Sequence, residues 1–453
     1  MAISVFSDVA GRVTQNEPSS QALIDKALSR IANPDGEGQR TFTRVFDESA
    51  KLYAEATDRL RAAGAELSPL AGLPISVKDL FDVRGEVTTA GSPSLSNAPA
   101  ATADATVVRR LRNAGAIIIG RTNMTEFAYS GIGLNPHLGA PANPYRRQDR
   151  RIPGGSSSGA AISVTDGMAW AAIGSDTGGS VRIPAALCGL TGFKPTQSRV
   201  PLDGVFPLSS TLDSIGPMAS TVSDCILVDE AISGQQLHVL SPANLRGVRL
   251  ILPRNYVLDS LDREVGTALE RALSKLSGAG AEIVELALPG FERIREINAT
   301  GGFSGAESYA FHRRLGLDQS KYDPLVLERI ERGRAMSAAD YLDMREARAA
   351  IIADVDRETA GFDAVLSPTV PIIAPKISDV ASSKDEYRRV NALILRNPSI
   401  VNFLNGCALS IPCHAEGEAP VGLMLAGRGM SDAALLSLGL AVEQVVAPRR
   451  FPL

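Results

Sequence analysis

The chain of 453 residues is 44% hydrophobic and 21% charged, and its 46 Lys and Arg against 50 Asp and Glu give a formal net charge of -4. That composition belongs to a globular protein with a sizeable core and excludes a disordered or fibrous chain; the near-balanced charge provides no field for nucleic acid or anionic lipid. The length permits one very large unit or two to three domains of about 100 to 200 residues each.

The opening "MAISVFSDVAGRVTQNEP" has neither a charged n-region nor a long apolar h-region, so no export signal is expected, and no run approaches a membrane span. Cys188, Cys225, Cys407 and Cys413 show no C-x-x-C spacing and make no disulfide framework, which fits a reducing, cytoplasmic location. Leu23, Ala27, Leu28 and Ile31 share one helical face behind a capping serine, and "FDESAKLYAEATDRLRAAG" continues in helical composition, so the first 65 residues are predicted as helices. From "LAGLPISVKDLFDV" onward, short apolar runs bounded by Gly and Pro alternate with helical segments, for instance "AGAIIIGRTN", "MAWAAIGSDTGG" and "GVRLILPRN". Residues 260–290 predict a helix and then a strand, and 325–360 are again helical. With no linker, repeat or charge run between these blocks, the pattern predicts one large mixed α/β unit.

Three stretches invite a chemical reading. "RIPGGSSSG" (151–159) lacks the lysine that a P-loop needs, and "GIGLNP" (131–136) ends a would-be dinucleotide fingerprint in proline. Gly155 to Gly159 spell G-x-S-x-G around Ser157, but "NPYRRQDRRIP" before them is no buried strand, and His137, His238, His312 and His414 are scattered. In "GSDTGGSVRIPA" (174–185), the glycines let the N–H groups of Thr177 to Ser180 converge as an anion nest, or form a tight turn before a helix. Lys78 ends the apolar run of "GLPISVKDLFDV"; it is either buried and tuned or exposed at the strand end and paired with Asp79 or Asp82. No H-E-x-x-H or Cys/His cluster is present, so no metal and no cofactor are expected.

In their order and tight spacing, "GLPISVKD", "GRTNMTEFAYSG" (120–131), "PGGSSSG" (153–159) and "GSDTGGSVRIPA" resemble the amidase signature family. The likeness extends to the tail "FLNGCALSIPC" and "APVGLMLAGRGMSDAALLSLGLAVEQ". It implies a single domain with a central twisted mixed β-sheet covered by helices on both faces. Its parts would be a helical lead-in (1–65), a signature core (66–230), and a variable substrate-side region with the C-terminal part of the sheet (231–453).

The resemblance further implies a Ser-Ser-Lys triad: Ser180 as nucleophile, Lys78 as base, and Ser156 between them on a cis peptide. Ser157 would support the neighbouring loop, Ser158 would be a small filler, and Asp176 and Arg182 would shape the nucleophile loop. The oxyanion hole carries over to the N–H groups of Thr177, Gly178, Gly179 and Ser180. Tyr129, Ser130 and Gly131 are expected to line the acyl site, with Glu307, Tyr309, His312 and Arg313 as weaker substrate-wall candidates. The implied activity is hydrolysis of a small-molecule amide by a homodimer, without nucleic acid or membrane partners. Two alternatives share the chemistry: a urea or carbamoyl hydrolase, and the glutaminase subunit of a glutamyl-tRNA amidotransferase. Against that glutaminase, "GRAMSAADYLDMREARAAI" stands where it carries a "YYDAYY"-like segment.

Overall fold

The β-branched runs flanked by Gly and Pro become strands, and they share one sheet. The computed structural model describes residues 19–237 and 240–448; the segment read for an export signal and His238 lie outside them. The strands are β1 (Phe42–Val45), β2 (Pro74–Lys78), β3 (Ile117–Thr122), β4 (Ala171–Ser175), β5 (Thr191–Lys194), β6 (Ile215–Ala219), β7 (Arg249–Pro253), β8 (Glu282–Leu286), β9 (Ala364–Pro368), β10 (Cys407–Pro412) and β11 (Gly422–Gly427). Their order is β1-β3-β2-β4-β6-β5-β10-β11-β9-β7-β8. Pairings are mixed: β2 runs parallel to β3 and β4, β7 runs parallel to β8 and β9, and the strands from β4 through β6, β5, β10 and β11 to β9 pair antiparallel.

Every residue of β2, β3 and β4 is buried, the mark of strands covered on both faces. Successive side chains of β3 enter different cores: Ile118 packs with Ile75 and Val77, whereas Ile117 and Ile119 pack with Ile24, Ala27 and Ile31 of the helix Ser20–Ala32. Against the helical expectation for the first 65 residues, β1 adds an antiparallel edge beside β3. The helical stretch over 325–360 is divided: Pro324–Glu331 and Ala338–Glu358 are joined through a 3-10 turn at Arg332–Ala335. Among the described residues no helix is long and apolar enough to cross a membrane.

The topology brings two strand ends together. In the parallel pair β2 and β4, Val77 lies opposite Ile173, so both strands deliver their last residues, Lys78 and Ser175, to the same edge. The helix Ser158–Thr165 lies against this region, held by the Ser163 and Ser76 hydroxyls at 2.8 Å, and the chain just before it carries Ser156. From the far end of the sequence, the helix Lys384–Phe403 closes over the loop that follows β4.

Candidate active site

Lys78 is fully buried. The alternative in which it pairs at the surface with Asp79 or Asp82 is overturned: Asp79 pairs with Arg121 at 2.9 Å, and Asp82 accepts from Thr88 at 2.6 Å. The Lys78 Nζ instead donates to two hydroxyls, Ser156 Oγ at 2.7 Å and Ser175 Oγ at 2.8 Å. Burial penalises the ammonium and lowers its pKa to about 7, although Asp213 and Asp176 pull the other way. Ser156 follows a cis peptide bond after Gly155 and is itself buried, its carbonyl accepting from the Thr125 N–H at 3.1 Å. Ser158 reaches the Asn123 carbonyl at 3.4 Å, but the buried Ser157 hydroxyl has no hydrogen-bond partner among the described residues.

The loop after β4 is organised by a buried ion pair. Asp176 takes the Arg182 guanidinium in two bonds, of 2.9 and 3.0 Å, and accepts from the Gly179 and Val181 amides at 2.8 and 3.1 Å. Burial opposes ionisation of Asp176, but the Arg182 guanidinium outweighs it, with help from Lys194 and Asn402, and holds the carboxyl well below the usual carboxylate range. Asn402 completes the cage, donating to the Asp176 carbonyl at 2.8 Å and accepting from Arg182 at 2.7 Å. Gly179 sits at φ +121° with Pro398 so close that a Cβ would lie 2.6 Å from its side chain, so glycine is required there for conformation and for room. Thr177 donates its hydroxyl to Asp213, whose pKa burial raises to about 6.

This arrangement narrows the expected anion nest. The Gly179 N–H is turned to Asp176, whereas no group among the described residues accepts from the N–H of Thr177, Gly178 or Ser180. Thr177, Gly178 and Ser180 line a cavity of about 200 Å³ together with Tyr129 and Ser130. Gly131 does not line it: a Cβ there would meet Ile183, Ile394 and Leu395 at 3.2 Å, while its N–H serves Asn391 at 2.8 Å. The Ser130 hydroxyl is engaged behind the cavity by Asn391 and Tyr387, at 3.0 and 2.8 Å.

The four weaker candidates stand outside the lining. Glu307 accepts from Ser209, Thr211 and Tyr341, fixing the segment that carries Leu208 and Leu212 to the cavity wall. His312 bonds Tyr322 at 2.9 Å among aromatic rings, and burial lowers its pKa to about 4. Tyr309 lies under Arg334, and Arg313 is exposed. Sequence reasoning missed Ser175, Asp213, Asn402, Arg329 and Arg332. Only Ser175 had a local signal, as the strand residue just before Asp176. Among the described residues no group of three or more His, Cys, Asp or Glu side chains could hold a metal ion.

Known proteins resemble the chain in sequence and in fold. The amidase family model matches residues 22–436. A 2-amino-5-chloromuconic acid deaminase of Comamonas testosteroni is 35% identical, covering 97% of this chain and 96% of its own. The A-type component of the glutamyl-tRNA(Gln) amidotransferase of Roseiflexus sp. (strain RS-1) is 33% identical over the same shares, 97% and 96%. The native peptide amidase of Stenotrophomonas maltophilia superimposes with a TM-score of 0.81 at 28% identity, covering 100% of this chain and 98% of that one. The protein therefore belongs to the amidase family, the amidase-signature hydrolases that act on C–N amide bonds.

Proposed function

We propose that the chain hydrolyses a small carboxylic amide to the acid and ammonia or an amine through an acyl-enzyme on Ser180. Neutral Lys78 takes the Ser156 proton as Ser156 takes that of Ser180, and Ser180 Oγ bonds to the carbonyl carbon. The C=O electron pair moves onto oxygen, where the N–H groups of Thr177, Gly178 and Ser180 stabilise it. When the C–N bond breaks, the proton held on Lys78 returns through Ser156 to the departing nitrogen. Water then gives a proton to the same relay as its oxygen bonds to the acyl carbon, and the C–Oγ bond breaks with the proton returned to Ser180, releasing the acid.

The observation that carries this reading is the buried Lys78 amine, 2.7 Å from the Ser156 hydroxyl, with a pKa lowered to about 7. At that value about half of the amine is neutral at pH 7, against about 0.04% for an unperturbed lysine. The test is a panel of amides scored for ammonia or amine release, with Ser180→Ala as the blank and a fluorophosphonate probe to label the nucleophile. Labelling of wild type at Ser180 with turnover of at least one amide is expected. Turnover that survives in Ser180→Ala, or labelling at another residue, would refute the assignment.

A glutaminase working within an amidotransferase is the second reading, favoured by the 33% identity to the Roseiflexus amidotransferase component. It predicts glutamine hydrolysis stimulated by tRNA and ATP, and copurification with a second, B-type component. The segment "SAADYLDMREARAAI" (337–351) weighs against it.

A further inference from the structure

The cavity over Ser180 has a charge that the amide chemistry does not use. Arg329 and Arg332 both line it, and among the described residues no Asp or Glu does. They stand three residues apart: Arg329 in the last turn of the helix Pro324–Glu331, and Arg332 at the start of the 3-10 turn that follows. The Arg329 guanidinium lies 4.5 Å from the Tyr129 ring centroid, its Nε is buried without an acceptor, and among the described residues it has no carboxylate partner. Among the described residues Arg332 pairs only with Glu328, at 3.4 Å, and that carboxylate is already held by Arg388 in two bonds of 2.7 and 3.2 Å. Both guanidinium groups act on the Tyr129 phenol, which places their fields on the same wall of the cavity.

Arg329, half-buried and with no carboxylate beside it among the described residues, carries a desolvation cost that a ligand's anion would offset; Arg332, its side chain 48% exposed and paired with Glu328, adds a solvated positive charge to the same lining. A guanidinium presents its donors in a planar fork that matches a carboxylate, and stacking on an aromatic ring pre-orders it for that contact. The cavity, at about 200 Å³, has room for a small molecule.

We infer that Arg329 and Arg332 form a carboxylate clamp, and that the substrate is a short amide bearing a free carboxylate in addition to the scissile group. This rests on the reading of Ser180 as the reacting centre, because the clamp shares its cavity. The lysine-serine side would act on the amide while the arginine side holds the acid, so an uncharged amide of equal size would lose binding rather than chemistry.

Binding and turnover separate the two ideas. The probes are the monoamides of succinic, glutaric and adipic acids and their methyl esters, titrated calorimetrically into Ser180→Ala and assayed with wild type. At least one monoamide should bind about tenfold or more tighter than its ester, and Arg329→Gln and Arg332→Gln should each remove about tenfold of that affinity. Arg313→Gln, an exposed charge outside the cavity, should leave it unchanged. In active enzyme, the same two cavity variants should raise KM for the acid while fluorophosphonate labelling of Ser180 persists. Equal binding of acid and ester, no saturable binding of any monoamide, or affinities indifferent to both arginine variants would overturn the clamp. Carboxylate-dependent binding without turnover would instead overturn the hydrolytic reading and leave the clamp standing.

Discussion

Two lysines end neighbouring regions of the same sheet, Lys78 on β2 and Lys194 on β5, and both are buried. Burial lowers both, Lys78 to about 7 and Lys194 to about 8, so protonation energetics alone would nominate either as a base. Their partners differ. Lys194 Nζ donates to the carbonyls of Pro195 and Gly406, each at 2.7 Å, and a carbonyl oxygen has no proton to pass on. Lys78 faces two hydroxyls, groups that accept one proton while donating another. A tuned amine thus becomes a proton relay through what it touches; the same amine against carbonyls is a strut between β5 and the segment before β10.

The largest effect should come from removing each amine. Lys78→Met is expected to lower kcat/KM by about 10³-fold with the fold retained, because the relay loses its acceptor. Lys194→Met should leave the chemical step nearly intact and instead cost about 2 kcal/mol in denaturant unfolding, since two buried carbonyls lose their donor. Equal losses of turnover in the two variants would break the distinction.

The pH profile sharpens it. With Lys78 at about 7, the neutral base rises from a minor to the major form between pH 6 and 8, so kcat/KM should rise about tenfold across that interval. Ser175→Ala removes one acceptor that stabilises the ammonium, so its limb should move to lower pH; Lys194→Met should not move it. A limb that shifts with Lys194 and ignores Ser175 would reverse the assignment.

Stability should report what the two lysines share. The folded pKa lies below the unfolded value of 10.5, so between about 7 and 10.5 the unfolded chain binds more protons at Lys78 than the native one. The penalty for burying the ammonium is therefore fully present below pH 7 and is relieved as pH rises. Wild type should gain on Lys78→Met by up to about 1.4 kcal/mol per pH unit in that window, measured by urea unfolding. For Lys194 the window opens later, from about 8. A difference that stays flat from pH 7 to 10 would mean that Lys78 is charged in the native protein.

What the sequence discloses follows from how local each constraint is. The apolar run before Lys78 marked a strand but left its end open between burial and the surface, and the Gly and Ser stretches marked the loops that meet it. Hydrophobic period does not resolve a four-residue strand, and β1 is only four residues long, partly exposed and flanked by helical composition. The direction of the Gly179 amide was also hidden, because a nest and an Asp176-bound turn share the same residues. Asn402 and Arg329 lay furthest from view. Each reaches the site from a helix more than 140 residues beyond Ser180, and nothing near either one in sequence signals that approach.

The smallest expected effect concerns the serine beside the relay. Ser157 Oγ is buried without a partner among the described residues, so Ser157→Ala breaks no hydrogen bond and should change kcat/KM by less than about threefold. The hydroxyl does fill space: a Cβ added at Gly174 would lie 2.5 Å from Ser157 Oγ and 3.0 Å from Ser157 Cβ. Gly174→Ala should therefore displace the serine chain or the end of β4 and lose activity, and adding Ser157→Ala should restore part of it by removing the nearer atom. That rescue separates packing from proton transfer, because a hydroxyl in the relay could not be deleted to recover turnover. If Ser157→Ala alone costs as much as Ser156→Ala, the relay runs through a different serine.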